Sequence, residues 1–365
     1  MEKLITLFSG MRIRKRNKAE VKVKQISEEL PYEIQIVSEN LMVPWALDIS
    51  PEGRLYVTER NGMIRTIENG ILAPQPLFTF PPPFVSAVEG GLMGIALDPD
   101  FSQNQNMYVI HTYKEGDQYY NRVVRLIEHN NAASLDRVLL DKIPGGLIHN
   151  GGRLKIGPDR KLYITTGDAG TSALAQDPTS LAGKILRINR DGSIPEDNPF
   201  PGSPVYSLGH RNPQGLSWNP NGILYASEHG ASAHDEINII LPGGNYGWPL
   251  VQGDEESSEI NVQKPLINSG EETWAPSGIS YVKQGPWKGK LLAAALRGLR
   301  LLSFPLNRNG TEFRGIESWL QGQYGRLRDV AQAEDGSIYI LTSNRDGRGN
   351  PVPSDDRIIR LVPKG

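Results

Sequence analysis

Six copies of one short hydrophobic pattern follow one another along the chain. Each copy opens with a turn, in most cases rich in proline, aspartate, asparagine or glycine, and continues into a brief apolar run, which carries a tyrosine in five of the six copies. The runs lie at 55–57, 107–109, 162–164, 224–226, 291–292 and 338–340. Short apolar runs between turn signals are typical of β-strands, and their repetition predicts a fold built from equivalent sheets.

A second strand follows most copies and alternates between apolar and polar residues, as a half-buried strand does. These partner strands lie at 122–126, 184–188, 236–240 and 357–361, and helical periodicity is nearly absent. The copies lie 47 to 67 residues apart, which fits blades of about 40–50 residues enlarged by inserted loops. The pattern therefore predicts an all-β protein, a six-bladed β-propeller of four-stranded antiparallel blades. A β-sandwich of six hairpins is the alternative.

The N-terminal region predicts how the ring closes and where the domain begins. The segment 32–37 alternates like a strand, and we expect it to join the last blade and close the ring. We interpret residues 1–30 as a disordered or signal-like leader and residues 31–365 as one propeller domain. As an export signal residues 1–24 are unconvincing, because the apolar stretch at 4–8 is shorter than a signal core of roughly 7–15 residues and the basic run follows it.

Composition and short motifs narrow the chemistry. The 39 glycines and 27 prolines indicate many turns,. With 41 acidic and 39 basic residues the formal charge is −2, so we predict no nucleic-acid partner,. There is no cysteine, which excludes disulfides and thiolate chemistry, and no apolar stretch long enough to predict a transmembrane segment,. Walker A, G-x-G-x-x-G and G-x-S-x-G motifs are absent, which excludes nucleotide hydrolysis, Rossmann-type NAD binding and α/β-hydrolase chemistry.

One histidine stands out because paired glycines flank it. His149 lies within 145–152, and imidazole titrates near neutrality, so it suits a general base,. Asp168 follows the third tyrosine strand, nineteen residues later, and would hold the imidazole in one tautomer as a carboxylate does in a catalytic triad. Taken alone, a histidine bonded to a turn carbonyl and an ordinary turn aspartate explain these residues at least as well.

Three loops at equivalent blade positions contain arginines. One holds Arg211 beside Asn212, the second holds Arg297, and the third holds Arg326 and Arg328. The last two arginines are two residues apart and therefore share one strand face. Guanidinium groups bind carboxylates, so the three loops together predict an anion-binding site. For any one of these arginines a solvated surface position is the simpler interpretation.

Segments 228–238 and 243–248 suggest a cation site. Calcium takes carboxylates and backbone carbonyls from irregular loops of this kind. No EF-hand loop is present, and His229 with His234 lacks a third zinc ligand, so zinc has little support,. The residues alone thus predict a propeller with a His/Asp pair, an arginine cluster and calcium, without naming a substrate.

Taken in order, these motifs resemble the soluble quinoprotein glucose dehydrogenase and aldose sugar dehydrogenase family, which uses pyrroloquinoline quinone (PQQ) on a six-bladed propeller. The resemblance runs from about residue 43 to residue 362. Its specific pieces are Glu89-Gly90-Gly91-Leu92-Met93-Gly94, His149-Asn150-Gly151-Gly152, Gly167-Asp168, Gly209-His210-Arg211-Asn212-Pro213-Gln214-Gly215, Asp235-Glu236-Ile237-Asn238, Gly244-Asn245-Tyr246-Gly247-Trp248-Pro249 and Arg326-Leu327-Arg328-Asp329. Any one piece is a weak signal, and the set is a strong one.

The resemblance implies PQQ- and calcium-dependent oxidation of aldose sugars at C1 to the lactone, with an unidentified electron acceptor and an extracytoplasmic location, periplasmic or secreted. It implies that His149 takes the proton of the anomeric hydroxyl while hydride moves to the quinone, and that Asp168 orients His149. The implied cofactor contacts are Glu89, Arg211, Asn212, Arg297, Arg326 and Arg328. The implied calcium ligands are the carbonyls of Gly230 and Ala231 for the cofactor's calcium, and Glu236 and Tyr246 for a structural calcium.

Two residues depart from the glucose-specific branch of that family, in which glutamine stands at Glu89 and lysine at Arg297. With the shorter loops between blades, they favour the broader aldose sugar dehydrogenase branch and an open cleft. Segment 273–277 is a further candidate contact. Two alternatives stay open: a calcium-dependent propeller lactonase, which would need a central cage of carboxylates and asparagines, and a non-catalytic propeller binding module.

Overall fold

Six β-sheets form the protein in the computed structural model, which describes residues 23–25 and 29–364. Two strands precede the first blade, β1 (Val23–Gln25) and β2 (Tyr32–Ser38). Blade 1 contains β3 (Pro44–Ile49), β4 (Leu55–Glu59), β5 (Met63–Glu68) and β6 (Ile71–Leu72), with β7 (Phe78–Thr79) also paired to β5. Blade 2 contains β8 (Leu92–Leu97), β9 (Asn106–Glu115), β10 (Gln118–His129) and β11 (Ala132–Pro144). Strands β9, β10 and β11 of this blade are the longest strands in the described part of the chain.

The remaining blades repeat the same order of strands. Blade 3 contains β12 (Leu154–Ile156), β13 (Leu162–Thr166), β14 (Lys184–Ile188) and β15 (Val205–Leu208). Blade 4 contains β16 (Pro213–Trp218), β17 (Leu224–Glu228), β18 (Glu236–Ile240) and β19 (Ile267–Asn268). Blade 5 contains β20 (Pro276–Tyr281), β21 (Lys290–Ala295), β22 (Arg300–Pro305) and β23 (Ile316–Trp319). Blade 6 contains β24 (Leu327–Gln332), β25 (Ile338–Thr342) and β26 (Ile358–Pro363).

The N-terminal strand β2 completes blade 6. It pairs antiparallel with β26, from Tyr32 opposite Pro363 to Ser38 opposite Ile358. The first strands of neighbouring blades contact one another all the way round, including β24 of blade 6 against β3 of blade 1. The ring is therefore closed by strands from both ends of the domain, as expected for segment 32–37. Strand β1 adds a parallel fifth strand to blade 5 by pairing with β23.

The recurring apolar run is the second strand of each blade, and it lies buried between the blades. All five residues of β4, β13, β17 and β25 are buried. The rings of these tyrosines are buried, and most of their hydroxyls form hydrogen bonds. The Tyr56 hydroxyl donates to Glu128 at 2.8 Å, and the Tyr225 hydroxyl donates to the Gly310 carbonyl at 2.6 Å. The repeat thus reflects packing, because an amphipathic ring fills the space between sheets while its polar tip is satisfied.

A buried ion pair ties opposite blades together at the axis. Arg153, just before β12, donates from Nη1 to Oδ2 of Asp329 in β24 at 2.7 Å, and the N–H of Leu47 in β3 donates to the same oxygen at 3.0 Å. The ring of Trp45 lies 4.5 Å from the Arg153 guanidinium. A buried charge is stable only with its partner, so this pair fixes how blades 1, 3 and 6 meet.

The predicted fold class is confirmed: the protein is a six-bladed β-propeller, and a β-sandwich does not describe the closed ring. Residues 1–22 and 26–28 of the predicted leader lie outside the described residues, so the leader and the domain boundaries stay predictions. The described helices are one short α-helix, α1 (Phe101–Asn104), and one 3₁₀ turn at Ser172–Ala175. In the described part of the chain, no helix has the length and apolar character needed to cross a membrane.

Candidate active site

The predicted catalytic and cofactor-binding residues lie at one end of the ring. In a blade of antiparallel strands, the beginning of the first strand and the end of the second lie side by side. The loops that enter β8, β12, β16, β20 and β24 therefore meet the loops that leave β13, β17, β21 and β25. Residues far apart in sequence come together at this end of the propeller.

His149 and Asp168 form the predicted pair. Nδ1 of His149 lies 2.8 Å from Oδ1 of Asp168, and the two side chains are 14% and 2% exposed. With Nδ1–H donated to the carboxylate, Nε2 is the unprotonated nitrogen of the neutral ring. Within the described residues no protein group forms a hydrogen bond with Nε2, so this atom is available as a base.

Three donors hold the Asp168 carboxylate. Besides His149, the N–H of Gly170 donates to Oδ1 and the indole N–H of Trp248 donates to Oδ2, each at 2.8 Å. Burial by itself would raise the pKa of Asp168, but the bond from His149 and the two further donors outweigh it and hold the pKa below its usual value,. Asp168 is therefore an anion near neutral pH that orients the imidazole.

Glu89 fixes the backbone of His149. Oε2 of Glu89 accepts the His149 N–H at 2.8 Å, and Oε1 pairs with Arg348 at 2.7 Å. The backbone of His149 is left-handed, with φ 55°. Gly167 packs so closely that an added Cβ would lie 2.0 Å from the His149 carbonyl oxygen, so only glycine fits there. Glu89 therefore supports the loop that carries His149. A contact between Glu89 and the cofactor stays a prediction.

Arg211 and Asn212 lie beside the pair. The Arg211 carbonyl accepts the N–H of Asp168 at 2.8 Å, and the Arg211 guanidinium lies 5.4 Å from the ring centre of Trp248. Oδ1 of Asn212 accepts the N–H of Gly151 at 3.0 Å. Asn212 therefore supports the loop that carries the base, and its amide nitrogen has no hydrogen-bond partner in the described part of the chain.

A second histidine–carboxylate pair is buried nearby. Nδ1 of His210 lies 2.8 Å from Oε2 of Glu228, and Nε2 lies 2.8 Å from the hydroxyl of Ser207. The ring stacks on Tyr246 with 4.6 Å between centroids. The other oxygen of Glu228 accepts the backbone N–H of Arg211. His210 has no exposed surface, so this pair braces the Arg211 loop from within the protein.

Arg326 and Arg328 converge on one carboxylate. Arg326 donates from Nε and Nη2 to Oδ2 of Asp346 at 3.0 and 2.8 Å, and Nη2 of Arg328 lies 4.0 Å from the same oxygen. Nη1 of Arg328 also donates to Gln214 at 3.1 Å and to Ser277, a member of segment 273–277, at 3.4 Å. Burial, with the like charge of Arg326 nearby, lowers the pKa of Arg328 to about 9. The single carboxylate of Asp346 faces the guanidinium groups of both Arg326 and Arg328, so it does not neutralise both positive charges.

Several buried side-chain nitrogen atoms of the described residues have no hydrogen-bond partner, and four of them lie in or beside β12, β16, β17 and β24 at this end of the ring. They are Nε of Arg211, Nε of Arg328, Nη2 of Arg153 and Nε2 of His229. Nη1 of Arg211 donates to the His229 carbonyl at 3.5 Å, and the charge of Arg328 also acts on the His229 ring, so these three groups are neighbours. Burial lowers the pKa of His229 to about 4, and its ring is neutral near pH 7. The three arginine nitrogens are donors, and buried donors without partners are costly, so this cluster indicates a ligand that brings acceptor atoms.

The loop with Gly230 and Ala231 is held from within. The N–H of Gly230 donates to Oδ1 of Asp235 at 3.0 Å, and Oδ2 of Asp235 accepts the N–H groups of Trp274 and Ala275 at 2.6 and 2.8 Å. Neither predicted ligand carbonyl accepts a hydrogen bond from a described residue. No described group of three or more His, Cys, Asp or Glu side chains is placed to hold a metal ion. The loop thus leaves two carbonyl oxygens available.

Glu236 and Tyr246 belong to a separate buried cluster. Glu236 stands opposite Glu228 in the β17–β18 pair and accepts a hydrogen bond from Asn238 at 3.0 Å. Burial and the charge of Glu228 raise the pKa of Glu236 to about 8. The Tyr246 hydroxyl is bonded to the backbone of β18 and the turn after it. A structural calcium at this cluster stays a prediction.

Arg297 lies exposed in the turn between β21 and β22. Its side chain forms no hydrogen bond or ion pair with the described residues. With Arg348 it lines a cleft of ≈ 520 Å³. Asp346, Arg348 and the indole of Trp248 were not predicted from the sequence. Asp346 and Arg348 follow the last tyrosine strand, as Asp168 follows the third, and this equivalent position is the signal that would have found them.

The fold and this set of residues agree with a known family. The model of the Glucose / Sorbosone dehydrogenase family matches residues 41–359. The chain belongs to this family. Among relatives of this dehydrogenase, aldose sugar dehydrogenase YliI of Escherichia coli is 31% identical over 341 residues, covering 86% of this chain and 91% of the relative. The resemblance inferred from the motifs is thereby confirmed, and the protein is an oxidoreductase.

Two further relatives of this glucose/sorbosone dehydrogenase family member define its neighbourhood. Quinoprotein glucose dehydrogenase B of Acinetobacter calcoaceticus is 34% identical over 321 residues, covering 76% of this chain and 66% of the relative. The PQQ-bound structure of aldose sugar dehydrogenase from Streptomyces coelicolor superimposes with a TM-score of 0.82 at 39% identity, covering 90% of this chain and 98% of that one.

Proposed function

We propose that the protein oxidises aldose sugars at C1 to the corresponding lactones, using PQQ and calcium, with His149 as the general base. The observation that carries the proposal is the free Nε2 of an oriented histidine at the same end of the ring as a cluster of unpartnered arginine nitrogens. The names of the relatives support it, since one is a quinoprotein and another was solved with PQQ.

The residues present fit an anionic quinone. PQQ has three carboxylates, and this end of the ring offers Arg328 with an unpartnered Nε, Arg211 with an unpartnered Nε, and the exposed Arg297. Arginine binds carboxylates through planar, charge-assisted hydrogen bonds. Arg326 is mostly engaged by Asp346, so we expect it to set the local charge more than to bind the ligand directly.

His149 supplies the proton-transfer chemistry. Nε2 takes the proton of the C1 hydroxyl as hydride leaves C1, and C1 becomes the carbonyl carbon of the lactone. The imidazolium that forms is stabilised by Asp168, which stays ionised because three donors hold it,. PQQ, when bound, supplies the two-electron acceptor for the hydride.

Calcium would be held by the carbonyl oxygens of Gly230 and Ala231, which no described residue engages, and by oxygens of the cofactor. Carbonyl oxygens are hard ligands of the kind that calcium prefers. The ion would act as a Lewis acid on a quinone oxygen. Glu236 and Tyr246 are proposed as contributors to a second, structural calcium, where a cation would favour the ionised form of Glu236 beside Glu228.

The lactonase alternative is less well supported, because it needs a central cage of carboxylates and asparagines, whereas the unpartnered groups among the described residues at this end of the ring are mostly arginines. The binding-module alternative does not require the base to be oriented with a free nitrogen. The aldose substrates, the separate electron acceptor, the absence of a nucleic-acid partner and the extracytoplasmic location all stay predictions.

The test is a titration of purified apoprotein with PQQ and calcium, followed by a dye-reduction assay over a panel of aldoses. We expect saturable, calcium-dependent activity on several sugars. A protein that binds no PQQ would overturn the proposal and turn attention to lactone hydrolysis. As a matched pair, replacing Arg326 and Arg328 together by glutamine should weaken the PQQ titration, whereas Arg137→Gln, on the exposed edge of blade 2, should leave it unchanged.

A further inference from the structure

The motif at 244–249 places an indole against the orienting carboxylate. Nε1–H of Trp248 donates to Oδ2 of Asp168 at 2.8 Å. The other carboxylate oxygen, Oδ1, receives His149 and the N–H of Gly170. In the described part of the chain, Trp248 is thus the one hydrogen-bond partner of Oδ2. A carboxylate with a single oxygen bonded can turn about its χ2 angle, so the bond to Oδ2 decides whether its plane is fixed.

Trp248 is itself anchored on both sides. Its backbone N–H donates to the carbonyl of Gly209 at 3.0 Å, and its carbonyl accepts Nε2 of Gln176 at 2.7 Å. Gln176 and Asn245 exchange amide hydrogen bonds of 3.0 and 2.8 Å. The guanidinium of Arg211 lies 5.4 Å from the indole centroid. Loops from three parts of the chain therefore hold the backbone of Trp248 in place, with Arg211 beside its ring, which limits how far the indole can follow the carboxylate if that group rotates.

We propose that Trp248 is a positioning residue that locks the plane of the Asp168 carboxylate and, through it, keeps His149 in the tautomer with a free Nε2. This inference rests on the proposed function for its catalytic meaning, because a general base needs the unprotonated nitrogen to face the substrate. Its structural content, the tautomer of one ring, is independent of what the protein oxidises. Removing the indole N–H leaves His149 beside a carboxylate that is free to turn.

The first test replaces the indole and observes the ring directly. Trp248→Phe is compared with Trp218→Phe, a half-buried indole whose ring packs 5.0 Å from Tyr163 and whose N–H has no partner among the described residues. Nitrogen-15 NMR of the histidine rings is recorded on apoprotein above the imidazole titration range, and the His149 signals are those lost in His149→Gln. We expect the Nδ1-protonated tautomer in wild type and Trp218→Phe, and a mixture of tautomers in Trp248→Phe. An unchanged tautomer in Trp248→Phe would overturn the proposal.

A second variant covers the case in which Trp248→Phe does not fold. In Asp168→Asn the acceptor loses its charge while the indole stays, so the Nε1–H proton signal of Trp248 should move upfield from its wild-type position. A signal that does not move contradicts a charge-assisted bond between the two side chains and overturns the proposal.

Kinetics separate this inference from the proposed function. If the dehydrogenase activity is established, Trp248→Phe should lower kcat by on the order of ten- to a hundredfold, the range for a misplaced catalytic group, with PQQ affinity and the sugar KM little changed. Trp218→Phe should keep wild-type kcat. Equal kcat values in the two variants would count against the inference, whereas a wild-type protein without activity would count against the proposed function and leave the tautomer measurement as the test.

Discussion

Two histidines in this protein hold a carboxylate through Nδ1 at the same distance of 2.8 Å. His149 does so with Asp168, and His210 does so with Glu228. Each carboxylate is in turn bonded at its second oxygen, Asp168 by an indole and Glu228 by a backbone N–H. The pairs are nearly equivalent on the Nδ1 side of the ring.

The difference lies at the other nitrogen. Nε2 of His210 is bonded to Ser207 at 2.8 Å in a ring with no exposed surface. Nε2 of His149 has no partner among the described residues, and its side chain is 14% exposed toward the end of the ring where the arginines gather. A histidine next to a carboxylate thus becomes a candidate base only when the fold leaves its second nitrogen free. The same pairing with both nitrogens engaged serves as a brace.

The largest expected effect comes from removing the imidazole whose Nε2 is free. His149→Ala should cut kcat by roughly 10²–10⁴, the usual contribution of a general base. PQQ titration and thermal unfolding should stay close to wild type, because the side chain lies at the open end of the site. Turnover within a fewfold of wild type would exclude His149 as the base.

A change in the His210–Glu228 pair should lower the stability of the protein and leave turnover little changed. Glu228→Gln removes the charge that holds His210 and the Arg211 N–H. We expect the free energy of unfolding to fall by about 1–3 kcal/mol, the cost of weakening a buried hydrogen bond to a charged group, as measured by urea denaturation. Glu52→Gln, at an exposed turn, is the control. A loss of kcat as large as that of His149→Ala, with stability intact, would contradict the assignment of a bracing role.

Substitution of Glu89, which accepts the backbone N–H of His149, should have a smaller effect on kcat. Glu89→Gln keeps an acceptor for the His149 N–H but ends the ion pair with Arg348, whose side chain is 55% exposed. Exposed ion pairs are worth about 0.2–1 kcal/mol, so kcat should stay within about fivefold of wild type. Glu89→Ala removes the acceptor as well and should be clearly worse. Equal kcat values for the two variants would show that the His149 N–H does not depend on this side chain.

The smallest effect is on the pH dependence of stability. Because the folded protein holds the pKa of Asp168 below the ordinary value of 3.8, its ionised form stabilises the fold above that value. This contribution disappears as the pH falls through the lower, folded-state pKa. Asp168→Asn should therefore flatten the plot of unfolding free energy against pH below about pH 4. A curve parallel to wild type in that range would mean that Asp168 makes no such contribution.

The repeat and its consequences could be predicted from the sequence. The six apolar runs, five of which carry a tyrosine, become the buried second strands, the alternating segments become their partners, and segment 32–37 becomes the outer strand of blade 6. Local pattern determines these elements because burial between sheets demands apolar residues at fixed positions. The pairing of His149 with Asp168 was also predicted, since both residues stand at strand ends that such a repeat brings together.

Contacts between distant loops could not be predicted in the same way. Trp248 reaches Asp168 across eighty residues, and Arg348, between β25 and β26 of blade 6, reaches Glu89 in the loop that enters blade 2. Glu89, expected to contact the cofactor, supports the His149 backbone. Nothing local distinguishes these side chains from ordinary loop residues, because their partners are set by how the inserted loops fold over the ring.

By itself, therefore, the sequence determined the class of fold, the order of its strands and the types of residue that gather at one end of the ring. Only the tertiary structure decided which histidine keeps a free nitrogen, which arginines lack a full complement of partners, and which carboxylates serve as braces. The physical reason is that strand formation follows from local periodicity and burial. The state of an ionisable side chain depends instead on every group packed around it, and most of those groups come from other blades.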